Sequence, residues 1–433
     1  MPPRIRELVD LASALPPELA STVLIRISGA SEVTDQDERI DLVERAFVAA
    51  GRAQYPLQVR NVAIRPPFPT RGILLASALR LRVDRVSLQS RAVQRMISLD
   101  PLRAREMFGS IHLDVPRGAC SSDTVPEPKQ YFETASALLR GAFSGDDREV
   151  RERNLIARAI VGRLSSPVEL APAALMISSL DAPAAERSDL IYAFALAMEK
   201  MAGDDSSFSA TLNAVSEAIQ KNLAPLAGGA AKVVLEKSFR LYLVRNFSGT
   251  RCAQNAAVPF PAQMDALHFT EEEASPAKVE PATAPEPVFA HFGEIMARVE
   301  KLFPGETYAN RGKVTTQLEK NDWLAAFKEW MDYLNAMSPG PSQTDGELQI
   351  EKLYCLSSVL GVVPQEIDKG PVLRQYFGVL TQSPLHDESW AQWYDRALTF
   401  AKSGPAAMRM MEESGSRDAA VIAKMEAITP EQP

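Results

Sequence analysis

Apolar side chains recur along this chain at intervals of three and four, and proline, glycine and aspartate separate one recurring set from the next. Ile5, Leu8, Val9 and Ala12 make the first set. Leu19, Val23, Leu24 and Ile27 follow Pro16-Pro17, and Ile40, Val43, Ala46 and Phe47 come third. Such spacing lines one face of an α-helix, so three short helices are predicted before Gly51. Thr34 and Asp35 with Glu38 supply the start signal of the third. Tyr55 to Pro69 has four prolines and no helical period, which predicts a loop. Ile73, Leu74, Ala78 and Leu81 predict the next helix, then Val86, Val93 and Ile97, then Leu102, Met107 and Phe108 beyond Asp100-Pro101. Residues 110–128 read as a second irregular crossing.

Helical period then continues from Gln130 to Phe247. It is cut at Gly145-Asp146-Asp147, Ser165-Ser166-Pro167, Asp181-Ala182-Pro183, Gly203-Asp204-Asp205 and Gly228-Gly229. A helix, a turn and a second helix come to about 40 residues, the pitch of HEAT-type helical repeats. Short turns make consecutive helices antiparallel neighbours. Val59 to Ile64 is the single candidate strand, and it is short. The expected fold is therefore all-α: an antiparallel, α-solenoid-like array of helix hairpins over 1–269, then a second, smaller helical domain over 288–433.

Between them lies Thr270 to Pro287. Four prolines, five glutamates and almost no large apolar side chain predict a flexible linker there. Beyond it, Trp323, Phe327, Trp330, Met331 and Leu334 make one helical stripe, and Trp390, Trp393, Tyr394, Ala397 and Phe400 another. Aromatic stripes at this spacing are expected to be core.

Charge changes the picture at one place. The net charge is −8, yet Gly51 to Ser110 carries eleven arginines against Asp84, Asp100 and Glu106, a local excess of 11 − 3 = +8. Arg80, Arg82, Arg85, Arg91 and Arg95 fall on consecutive predicted helices, where a stacked array could align them to meet carboxylates or phosphates with forked hydrogen bonds. The acidic whole and the scarcity of aromatics in 71–105 weigh against nucleic acid. The expected occupant is an acidic protein surface or the chain's own Glu271-Glu272-Glu273.

Candidate chemistry is sparse. His268 with Glu271 and His291 with Glu294 stand three apart on either side of the linker, a spacing that could aim both side chains at one metal ion only if the two pairs met. Ala227-Gly228-Gly229-Ala230-Ala231-Lys232 lacks the glycine and lysine spacing of a phosphate loop. Cys120, Cys252 and Cys355 are widely spaced and odd in number, which argues against a disulfide framework and for a reducing compartment. Glu7 and Asp10 interrupt what would be the apolar core of a signal peptide, and no run reaches the length of a membrane span, so a cytoplasmic location is expected, with prior removal of an export signal as the alternative.

No catalytic, cofactor or metal residue is assigned from these patterns. The expected function is a non-enzymatic interaction scaffold or adaptor with an unidentified protein partner on a stacked-helix surface. Two alternatives stand beside it: a metal-dependent or helical-toroid enzyme with a groove site, and a helical-repeat RNA binder acting through 71–105.

Overall fold

The structure, a computed structural model, describes residues 1–60, 78–118, 124–201, 203, 205–252, 278–280, 290–303, 320–341, 343–361, 363, 367–381 and 390–428. Among them are eighteen α-helices and two pairs of short strands, so the fold is all-α. The predicted helix containing Ile73 and Leu74 lies largely outside the described residues.

The first helices are α1 (Pro3–Ala12), α2 (Pro17–Ser28), α3 (Gln36–Ala50), α4 (Arg85–Ile97) and α5 (Pro101–Gly109). Aspartate starts three of them: Asp35 accepts from the Asp37 and Glu38 amides, Asp84 from Ser87 and Asp100 from Arg103. Each bond satisfies a donor that the helix itself leaves open. β1 (Val59–Arg60) pairs antiparallel with β2 (Thr124–Val125), joining the two irregular crossings.

Next come α6 (Lys129–Gly141), α7 (Asp147–Gly162), α8 (Pro167–Ser178), α9 (Ala184–Glu199), α10 (Ser207–Glu217) and α11 (Gly229–Ser248), with a π-helical turn at Ala218–Leu223. Helices two apart in the chain pack together: α6 on α8, α8 on α10, α7 on α9, and α9 on α11. Ion pairs fix their direction. Arg153 meets Glu186 at 3.8 Å and Arg158 meets Asp189 at 2.5 Å, so α7 and α9 run the same way. Ser238 Oγ donates to Glu199 at 3.1 Å, and Arg245 donates to the Met201 carbonyl at 2.9 Å, which makes α11 parallel to α9. One continuous core runs beneath these helices from Val43 to Phe247.

Buried polar bonds tie the layers where helices begin. Asp205 and Glu169 are both buried. Asp205 accepts from the Gly118 amide at 3.0 Å, from the Ser207 amide at 2.9 Å and from the Ser166 hydroxyl at 2.8 Å. Glu169 accepts from the amides of Ser165 and Ser166 at 2.7 and 2.8 Å, closing the first turn of α8. Gly118 admits no side chain, because a Cβ would stand 2.7 Å from the Ser207 amide nitrogen.

A tighter backbone approach closes α11. A Cβ on Gly249 would fall 2.0 Å from the carbonyl oxygen of Gly203. Gly249→Ala is expected to cost about 2–3 kcal/mol by overpacking against backbone that cannot rotate away. An unchanged denaturation midpoint in this variant would contradict that packing.

β3 (Thr250–Cys252) follows α11 and pairs in parallel with β4 (Lys278–Glu280). β4 falls inside the stretch read as a flexible linker. Glu271, Glu272 and Glu273 lie outside the described residues.

By its internal contacts the chain divides into two compact units: Met1–Arg65 with Arg82–Pro285 and Pro430–Pro433, and Pro66–Leu81 with Glu286–Thr429. The second contains α12 (Phe292–Val299), α13 (Lys320–Ala336), α14 (Asp345–Leu360), α15 (Gly370–Leu380), α16 (Trp390–Ala401), α17 (Pro405–Glu413) and α18 (Arg417–Glu426). Its aromatic stripes are core, as their spacing implies. Trp323 stacks on Phe327 with centroids 5.3 Å apart, Trp390 on Tyr394 at 5.3 Å and Tyr376 on Phe400 at 5.1 Å.

Candidate functional site

The five arginines singled out by charge have different surroundings. Arg82 lies in the left-handed backbone region, with φ at 51°, which non-glycine residues seldom adopt. Its guanidinium meets Glu127 at 3.1 Å and Glu133 at 4.0 Å, and its carbonyl accepts from Arg91 Nη2 at 3.0 Å. Arg95 crosses to α2, where its Nη2 donates to the Ser28 carbonyl at 2.9 Å and satisfies the end of that helix. Arg82, Arg91 and Arg95 thus spend guanidinium bonds within the chain. Arg80 and Arg85 are exposed.

Their neighbours on α5 are compensated in the same way. Arg103 bridges Glu44 at 2.5 Å and Glu106 at 2.8 Å, and the Glu106 bond, followed by Glu44, raises its already high pKa. Arg105 meets Glu149 at 2.9 Å and Glu152 at 3.3 Å while covering the Phe143 ring. Arg82, Arg103 and Arg105 thus find glutamates on α6, α3 and α7. A cleft of about 260 Å³ opens beside Arg103, lined by Phe47, Val48 and Met107. That is below the roughly 300–1,000 Å³ that encloses a small-molecule ligand.

His291 and Glu294 do not converge. The His291 ring pairs with the Ser338 carbonyl through Nε2 at 3.0 Å, whereas Glu294 faces Arg298 at 3.7 Å. His268 and Glu271 lie outside the described residues, as does His386, and His112 Nδ1 pairs with the Ser110 carbonyl at 2.9 Å. Among the described residues no three His, Cys, Asp or Glu side chains come together as metal ligands. Cys355 is buried, and burial, followed by the charge of Glu351, pushes its thiol well above the usual range, leaving it a poor nucleophile. Glu351 itself accepts from the His291 amide at 3.0 Å and from Gln343 at 2.6 Å, holding the start of α12. No described helix is long and apolar enough to cross a membrane.

A different surface emerges from the stacked helices. Leu155 on α7, Tyr192 on α9 and Val233 on α11 are large apolar side chains left 67%, 46% and 65% exposed. The ion pair of Arg153 with Glu186 and that of Arg158 with Asp189 set Leu155 level with residues 187–188 of α9. The contact of Glu199 with Ser238 sets Tyr192 level with residue 231 of α11. At a rise of about 1.5 Å per residue, Leu155 and Val233 stand roughly 10 Å apart along the helix axes, with Tyr192 between them. Axes of packed helices are about 8–10 Å apart, so Leu155, Tyr192 and Val233 form a row across the layer.

Periodicity did not reveal this row. Leu190, Ile191, Tyr192, Ala193, Phe194 and Ala195 run consecutively, so no polar residue beside Tyr192 marks it as exposed.

No protein-family model, no curated protein and no solved structure matches the chain.

Proposed function

We propose that the protein is a non-enzymatic interaction scaffold that binds a protein partner along Leu155, Tyr192 and Val233. The observation carrying this reading is the row of three exposed apolar side chains on parallel helices packed in succession, α7 on α9 and α9 on α11. Stacking of like helices at intervals of two is what an α-solenoid-like array of hairpins builds, and such layers offer long surfaces to partners. Tyr192 is the expected anchor, since tyrosine supplies wide contact at low entropic cost. In this reading residues 1–269 are the docking body and 288–433 a separate helical domain.

A photo-crosslinking amino acid placed at 155, 192 or 233 in the native host tests the surface. One protein should be captured from all three positions and not from 175, where Leu175 is exposed on α8 instead. Equal capture at 175, or none at 192, would contradict the reading.

A further inference from the structure

The buried Glu169–Asp205 cluster does more than cap helices. Ser166 joins the two carboxylates, giving its amide to Glu169 at 2.8 Å and its hydroxyl to Asp205 at 2.8 Å. Asp205 also holds Gly118, the last described residue of the irregular segment 111–118. We infer that Glu169 and Asp205 form a proton-operated latch on that segment, closed when the pair carries one negative charge and loosened when it carries two.

Glu169 is the carboxyl of the pair that burial raises. Ser165 and Ser166 face it from the turn before α8, and Asp205 faces it from the start of α10. Tyr131 of α6 feels both Glu169 and Arg163, and burial holds its phenol at about 12, neutral over the working range. Tyr242 of α11 feels Asp205, and burial raises it well above the ordinary phenol value. Burial raises Glu169, against the lowering pull of the hydrogen bonds from Ser165 and Ser166, and the Asp205 charge adds the smallest share.

The sign follows from proton binding. A carboxyl raised in the folded state keeps its proton there longer than in the opened state, so the closed latch is favoured below the ordinary value of 4.5 and weakens as pH climbs past it. A second buried charge must be paired or hydrated. Segment 111–118 offers water a route to the pair, because it has no regular secondary structure and only Ile111 in it is buried.

Hydrogen exchange of the full chain tests the latch. After correction for intrinsic exchange, protection of 111–118 should fall as pH rises from 5 to 8, by about tenfold for each unit by which the Glu169 titration is displaced. Glu169→Gln, which keeps an acceptor for the serine amides, should flatten the profile. His112→Asn should not, although His112 is exposed in the same segment. Flat protection in the wild type would overturn the latch without any variant, and so would a dependence that survives Glu169→Gln or disappears with His112→Asn.

Discussion

Asp205→Ala is expected to lower the stability of the first unit by about 2–4 kcal/mol, the cost of leaving hydrogen-bond donors without their acceptor in the interior. Three donors lose their acceptor together: the Gly118 and Ser207 amides and the Ser166 hydroxyl. Each buried donor left without a partner costs about 1–3 kcal/mol. The Ser166 hydroxyl can turn elsewhere; the two amides cannot. Asp205→Asn should cost only about 1–2 kcal/mol, because the amide oxygen still accepts two N–H bonds and the Ser166 hydroxyl can rotate to accept from the new amine. Urea denaturation followed by far-UV circular dichroism measures both. Equal losses in the two variants would show that the site matters through charge and not through its acceptor count.

Trp393→Ala is the second large effect, at about 3–5 kcal/mol. Trp393 is among the largest fully enclosed side chains, and its indole donates to the Leu380 carbonyl at 3.0 Å, tying α16 to the end of α15. Removal leaves a cavity against Leu380 and an unpaired carbonyl where α15 has run out of its own donors. Trp393→Phe retains much of the volume and should recover about half the loss. A thermal melt read by near-ultraviolet circular dichroism follows the second unit through its remaining tryptophans. A loss below about 1 kcal/mol in Trp393→Ala would mean that the site collapses without cost.

The sequence carried the helices and their ends because those depend on local chemistry. Asp35, Asp84 and Asp100 act on amides two or three residues away, and the stripes at Trp323 and Trp390 need only a 3.6-residue period to declare themselves core. What depends on distant partners was not legible. Arg82 and Arg95 look alike in the sequence, yet one meets Glu127 and the other the Ser28 carbonyl, 67 residues away. Asp205 reads as a turn residue, and its bond to Gly118 spans 87 residues. The β3–β4 pair was missed since three residues on each side give no alternation to detect. Tyr192 carries no signal of exposure, because an apolar residue inside the run Leu190 to Ala195 is indistinguishable from core until its neighbours are placed.

The central claim is that these three side chains form one docking surface, and the affinity of the crosslinked partner for purified variants tests it most directly. Tyr192→Asp should weaken binding by about 30-fold or more, the loss of a hot-spot residue of about 2 kcal/mol, with the circular dichroism spectrum unchanged. Leu175→Asp, equally disruptive in character but in the other layer, should leave the affinity within about twofold of wild type, as expected for a residue away from the contact. A folded Tyr192→Asp variant that binds like the wild type would contradict the account.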